Sequence, residues 1–214
     1  MRKRGLTERG RRRHAVRAPA RLPAAERREA IVEAALRVFS AGSYAGATTA
    51  GIAREAGVSE PILYRHFASK RDLYVACLEE AWARLRSVLD AEGVELDAGR
   101  GLEQFGRFAE ETAPLRVLMA NLWLQAITEA GEDAEIGRFV LEHMRGVHDY
   151  HAALLRRGQR AGSIAADRDA DAEAWIFLAG TLLLSLADRL GGLLGETELE
   201  AIRAERVRWL AATD

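Results

Sequence analysis

The stretch from Thr48 to Phe67, T-T-A-G-I-A-R-E-A-G-V-S-E-P-I-L-Y-R-H-F, constrains this chain more than any other. Thr48 or Thr49 offers a hydroxyl to the free N–H groups of a first short helix that runs to about Glu55. Ile52, Ala53 and Ala56 give that helix a small-residue inner face, which lets another helix approach closely. Gly57 follows where a helix end commonly needs the left-handed conformation. Val58 plugs the corner, and Ser59 stands at the N-cap of a second helix. Pro61 falls in its first turn, where a missing N–H leaves nothing unpaired. Ile62 and Leu63 turn inward, while Glu60, Pro61, Tyr64, Arg65 and His66 remain outside. The pattern predicts a helix-turn-helix whose second helix is built to enter a DNA major groove.

The longer run T-T-A-G-I-A-R-E-A-G-V-S-E-P-I-L-Y-R-H-F-A-S-K-R-D-L resembles the DNA-binding domain of TetR-type transcriptional regulators. The preceding R-R-E-A-I-V-E-A-A-L-R-V-F-S-A-G-S-Y-A-G-A is similar to that family's first helix and loop. The resemblance covers about residues 25–85 and implies an all-α protein. Its N-terminal three-helix DNA-binding domain would be followed by a larger helical domain, residues 86–214, for ligand binding and dimerisation. The interface would comprise Thr48, Thr49, Ser59, Glu60, Pro61, Tyr64, Arg65, His66 and Lys70. Glu60 and Pro61 are expected near base edges. Thr49, Tyr64, His66 and Lys70 are expected on phosphates, and Arg65 on either; for Lys70 the phosphate role is carried over from the family.

Charge is distributed to match. The formal net charge is −1, yet residues 1–28 hold 11 Lys/Arg against Glu8 and Glu26, leaving 20 basic and 30 acidic side chains to the rest. A basic arm, residues 1–24, ahead of an acidic body suits contact with a polyanion at one end. Arg11, Arg12 and Arg13 are its candidate contributors, through phosphates or a minor groove.

Scarce proline, no β-branched alternation and an Ala, Leu, Arg and Glu majority make the chain read all-helical. A first helix is predicted from about Ala24 to Ala41, stopped by Gly42. Ser69 caps a long helix reaching about Glu92, with Asp72 in a capping-box position and Leu73, Cys77, Ala81, Leu85 and Val88 at core spacing. Leu102, Phe105, Phe108 and Ala109 mark another, ending before Pro114. Residues 115–129 are apolar on most sides and predict a central helix. Further helices are expected at about Ala134–Gly158, 169–190 and 196–211. The single cysteine, Cys77, fits a reducing cytosol, and the resemblance implies a cytoplasmic, nucleoid-associated protein of bacteria. No apolar run is read as long enough for a membrane span.

From Ala174 to Ala187 only Gly180, Thr181 and Ser185 interrupt an otherwise apolar sequence. A helix apolar all round needs cover all round. Its own domain covers one face, and a second copy is expected on the other, through Leu182, Leu183, Leu186 and Leu190. In TetR-type proteins the last two helices pair in this way. The resemblance also implies an apolar or aromatic small-molecule ligand among the middle helices. The candidates are Phe105, Phe108, Met119, Trp123, His143, Val147, Tyr150 and Trp175. His148 and His151 stand at i and i+3 with no cysteine nearby and read as a solvated face, so no metal and no cofactor are expected. G-x-S-x-G, H-E-x-x-H and phosphate-loop patterns are absent, which argues against an enzyme. The functional reading is a homodimeric regulator on double-stranded operator DNA, a repressor or, alternatively, an activator.

Overall fold

The computed structural model describes residues 23–91 and 111–211. Its helices, in order, are α1 (Ala24–Ala41), α2 (Thr49–Glu55), α3 (Glu60–His66), α4 (Lys70–Ala91), α5 (Ala113–Glu129), α6 (Ala134–Arg160), α7 (Ala170–Leu190) and α8 (Glu196–Leu210). Among the described residues there is no strand, only an isolated bridge between Ile164 and Ala211. The basic arm, with Arg11–Arg13, and the helix expected around Leu102–Ala109 lie outside the described residues.

Local chemistry sets the helix ends. The Asp133 carboxylate accepts the Glu135 and Ile136 amides to start α6, and Asp169 does the same for α7 through Asp171 and Ala172. Ser69 Oγ accepts the Asp72 amide at the start of α4. The turn after α2 closes with Val58 N–H on the Ala53 carbonyl (2.9 Å) and Gly57 N–H on that of Arg54 (3.1 Å), which places Gly57 at φ 67°. A Cβ added there would meet nothing within 4 Å. Gly57→Ala should therefore show backbone strain alone, about 1–2 kcal/mol, read as a lowered urea midpoint with unchanged m-value.

α1, α2 and α3 close on Ile31, Ala35, Phe39, Ile52 and Leu63, all fully buried. α4 carries that core onward through Leu73, Tyr74, Cys77, Leu78, Ala81 and Leu85. The boundary expected between residues 85 and 86 thus falls inside a continuous helix. α5 is central, packing against α1, α4, α6 and α7, and it buries Met119, Leu122 and Trp123 completely.

α7 corrects one expectation. At 21 residues it is long and apolar enough, by length and composition, to cross a membrane, so it is not too short. It packs against α5 and α6 and buries Glu173, Thr181 and Ser185: Ser185 donates to Asn121 of α5, Thr181 to the Phe177 carbonyl of its own helix, and Glu173 accepts from Arg206 and Trp209 of α8. Two glycines in left-handed conformations, Gly191 and Gly192, end it.

Candidate nucleic-acid interface

Thr48, not Thr49, caps α2: its hydroxyl accepts the Gly51 amide at 3.1 Å. Ser59 occupies the N-cap of α3, but its side chain makes no capping bond, a correction to its expected role. Leu63 points into the core, Ile62 is half-buried, and Pro61, Tyr64 and Arg65 are exposed on the opposite side. Tyr64 is 48% exposed, large for an aromatic ring without a purpose at a surface. His66 is half-buried beside them.

Three residues expected on phosphates, Thr49, Tyr64 and Lys70, are engaged within the protein. Thr49 Oγ1 lies 2.5 Å from Glu60 Oε1 and 3.2 Å from the Tyr64 hydroxyl, linking α2 to both ends of α3's outer face. Lys70 Nζ donates to the carbonyls of Tyr44 (3.0 Å) and Ala47 (3.3 Å) and sits 4.3 Å above the Tyr44 ring. Its first duty is thus to hold the loop that leads into α2, with one of its three protons left over. Sequence spacing showed that Lys70 faces this side; it did not show carbonyls waiting for it.

The pocket candidates divide. Phe105 and Phe108 lie outside the described residues. Met119, Trp123 and Val147 are fully buried. His143 is wedged between Phe139 (ring centroids 5.5 Å, stacked) and Trp123 (6.0 Å, edge-on). Tyr150 belongs to a neighbouring group: it packs edge-on against Trp82, and its hydroxyl donates to Asp90 at 2.5 Å. Trp175 is a correction. It is 46% exposed and stacks on His148 at 4.4 Å.

His148 and His151 correct a second expectation, for neither faces solvent. α7 covers both: His148 takes the Asp171 carbonyl at 3.1 Å, and His151 stacks on Phe177 at 4.4 Å. Among the described residues no cluster of three or more His, Cys, Asp or Glu is placed to hold a metal ion.

Buried polar residues on α5 escaped the periodicity argument, although their isolation in an apolar helix was a signal. Gln125 Nε2 donates to the Phe39 carbonyl at 2.9 Å, and the Tyr74 hydroxyl to that of Leu122 at 2.5 Å. Both bonds join the DNA-binding helices to the second domain. Burial pushes the Tyr74 phenol up, so it stays a donor. On the other side of α5, Asn121 Oδ1 accepts Ser185 Oγ (2.6 Å) and Arg189 Nε (2.7 Å) of α7. Arg116 is buried above the Phe177 ring; burial, then the nearby Arg203, bring it down to about 10, still a cation at neutral pH.

His143 and His151 are both lowered to about 4, through burial and, for His151, also through the charges of Arg116 and His148. His151 Nδ1 lies 2.8 Å from the Val147 carbonyl, so that nitrogen carries the proton and Nε2 is an acceptor with no partner among the described residues. An unfolded histidine titrates near 6.5. Between pH 6.5 and about 4 the unfolded chain binds protons that the fold refuses, so stability falls as pH falls through that window and levels off below it. The expected slope is about 1 kcal/mol per pH unit from each histidine. Urea melts at pH 7 and pH 5 measure it, and His143→Phe/His151→Phe should flatten the difference.

Comparison with known proteins places these features. Residues 31–77 match the family model described as "Bacterial regulatory proteins, tetR family". The HTH-type transcriptional activator FasR of Mycolicibacterium smegmatis is 49% identical over 59 residues, 28% of this chain and 27% of that protein. The HTH-type transcriptional regulator BetI of Rhizobium meliloti is 30% identical over 123 residues, 56% of this chain and 59% of that one. The chain therefore spans less than two thirds of the curated relatives it matches here. A solved TetR-family regulator from Rhodococcus sp. shares the fold over 86% of this chain and 96% of its own, with a TM-score of 0.69 at 21% identity. Residues 31–77 thus carry the DNA-binding segment of the tetR family of bacterial regulatory proteins, and the described helices share the fold of a solved TetR-family regulator.

Proposed function

We propose that the chain is a homodimeric DNA-binding transcriptional regulator, a repressor released from a palindromic operator by a small molecule. The observation that carries the reading is the outward face of α3, with Pro61, Tyr64 and Arg65 exposed, on a domain fixed by buried hydrogen bonds to α5. A second copy covers the apolar side of α7, where Leu183, Leu186 and Leu190 are 39%, 40% and 66% exposed beside the half-buried Leu182. An open groove runs along α8, lined by Ala201, Ile202, Glu205, Arg206 and Trp209. Two recognition helices then meet successive major grooves, about 34–36 Å apart. Arg65, His66 and the remaining proton of Lys70 take phosphates, and repression follows from occupying the operator. Its place of action is the cytoplasm, on the nucleoid.

The ligand is an apolar or aromatic molecule held among α4, α5 and α6. Trp123 Nε1 and His143 Nε2, both buried with no hydrogen-bond partner among the described residues, supply polar contacts for it. The second domain is a binder rather than a catalyst, so ligand should be recovered chemically unchanged. Release of denatured protein into a mass spectrometer identifies what co-purifies. Coupling of about 1–3 kcal/mol should lower operator affinity roughly 5- to 150-fold at saturation, and operator should lower ligand affinity by the same factor. Equal ligand affinity with and without operator DNA would end the ligand-release reading; a reporter fused to the operator reads the sign of regulation.

A further inference from the structure

α3 opens on a carboxylate whose surroundings fix both its position and its protons. Glu60 Oε1 accepts from Thr49 Oγ1 at 2.5 Å, and Thr49 Oγ1 lies 3.2 Å from the Tyr64 hydroxyl oxygen. A threonine hydroxyl has one proton and an ionised carboxylate has none. The Thr49 proton therefore goes to Glu60, and the phenol of Tyr64 is the donor to Thr49. The order is Tyr64 to Thr49 to Glu60. Phosphate oxygens only accept, so with this chain intact neither hydroxyl has a proton to offer a DNA backbone. What the arrangement presents outward is Glu60 Oε2, which takes no hydrogen bond among the described residues.

A fixed acceptor at the first residue of a recognition helix selects among base edges. In the major groove guanine shows only the N7 and O6 acceptors, and thymine shows O4 and a methyl group. Adenine has an amino donor, but its N7 acceptor stands beside it and meets the second carboxylate oxygen badly. Cytosine presents its N4 amino group with no acceptor next to it on the same base. Resting on the DNA-binding reading above, we infer that Glu60 reads the N4 amino group of one cytosine in each half-site, with Thr49 and Tyr64 as positioning residues. The same carboxylate repels phosphates wherever that cytosine is missing, which sharpens the choice.

Selection from a random-sequence duplex library by the full-length protein tests this. Wild type should enrich a palindrome with cytosine at one position per half-site, preferred by roughly 5- to 150-fold over other bases. Glu60→Gln has a donor beside its acceptor and pairs with adenine N6 and N7, so that position should change from cytosine to adenine. Loss of the negative charge should also tighten binding to random duplex. Thr49→Val should blur the preference at that position alone, and Thr49→Ser should restore it. Thr48 caps α2, so neither change at Thr49 removes a helix cap. A wild-type palindrome that Glu60→Gln enriches unchanged would overturn the inference and leave the DNA-binding reading standing. A Thr49→Val protein with wild-type preference would remove Thr49 from the role. No enrichment by wild type would bring down both readings together.

Discussion

Leu183→Glu combined with Leu186→Glu should sediment as a monomer while keeping wild-type helicity. In the single chain these side chains are 39% and 40% exposed, so a carboxylate at either position stays hydrated until a second copy arrives. Dimer formation would then bury unpaired charge, at a cost of several kcal/mol per ion. A monomer engages one half-site at a time. The second contact ceases to be intramolecular, and operator affinity should fall by on the order of 10²- to 10⁴-fold, whereas affinity for short nonspecific duplex should hardly move. Sedimentation and a gel-shift titration on the same sample check both halves. A folded dimer from this variant would place the interface elsewhere.

Arg206→Ala should be the most destabilising single change on α8. Glu173 is only 5% exposed, and it is held by Arg206 Nη2 at 2.5 Å and by Trp209 Nε1 at 2.6 Å. Removing one partner of a buried pair strands the other charge, a cost of about 3–5 kcal/mol in a dry site. Arg206 is a quarter exposed and Trp209 remains a donor, so about 2–3 kcal/mol is expected. Urea unfolding measures the loss. Glu173→Leu with Arg206→Leu should regain most of it, because no charge is then left buried. A single mutant as stable as wild type would mean that water reaches Glu173 freely.

Legibility followed the range of the interactions. The left-handed Gly57 and the ends of α1 and α6 depend on neighbours in the chain, and the spacing carried them, while it narrowed the cap of α2 to Thr48 or Thr49. Burial of His148 and His151 did not, because Asp149 and Arg156 flank them on the same helix and make the stretch look wet. Only the packing of α7 over α6 hides the two rings. Trp175 was singled out as a pocket candidate from an apolar run; that run has two sides, and this ring is 46% exposed. The Thr49–Glu60–Tyr64 chain is intermediate. Its residues were singled out, but 11 and 15 positions separate the partners, and proton order follows from geometry alone.

The bonds of Asn121, Leu122 and Gln125 have a bearing on how this protein can be recombined with its relatives. Within little more than one turn, α5 grips the outer helix α7, the long helix α4 and the end of α1. A chimera joined in the stretch after Ala91 would bring a foreign α5 against Phe39 and Tyr74, and the native α5 would lose the surfaces that Gln125 and Leu122 meet. A graft that transfers new DNA specificity should therefore exchange only α2 and α3, from Thr48 to Phe67, and leave α1, α4 and α5 as a single inherited block.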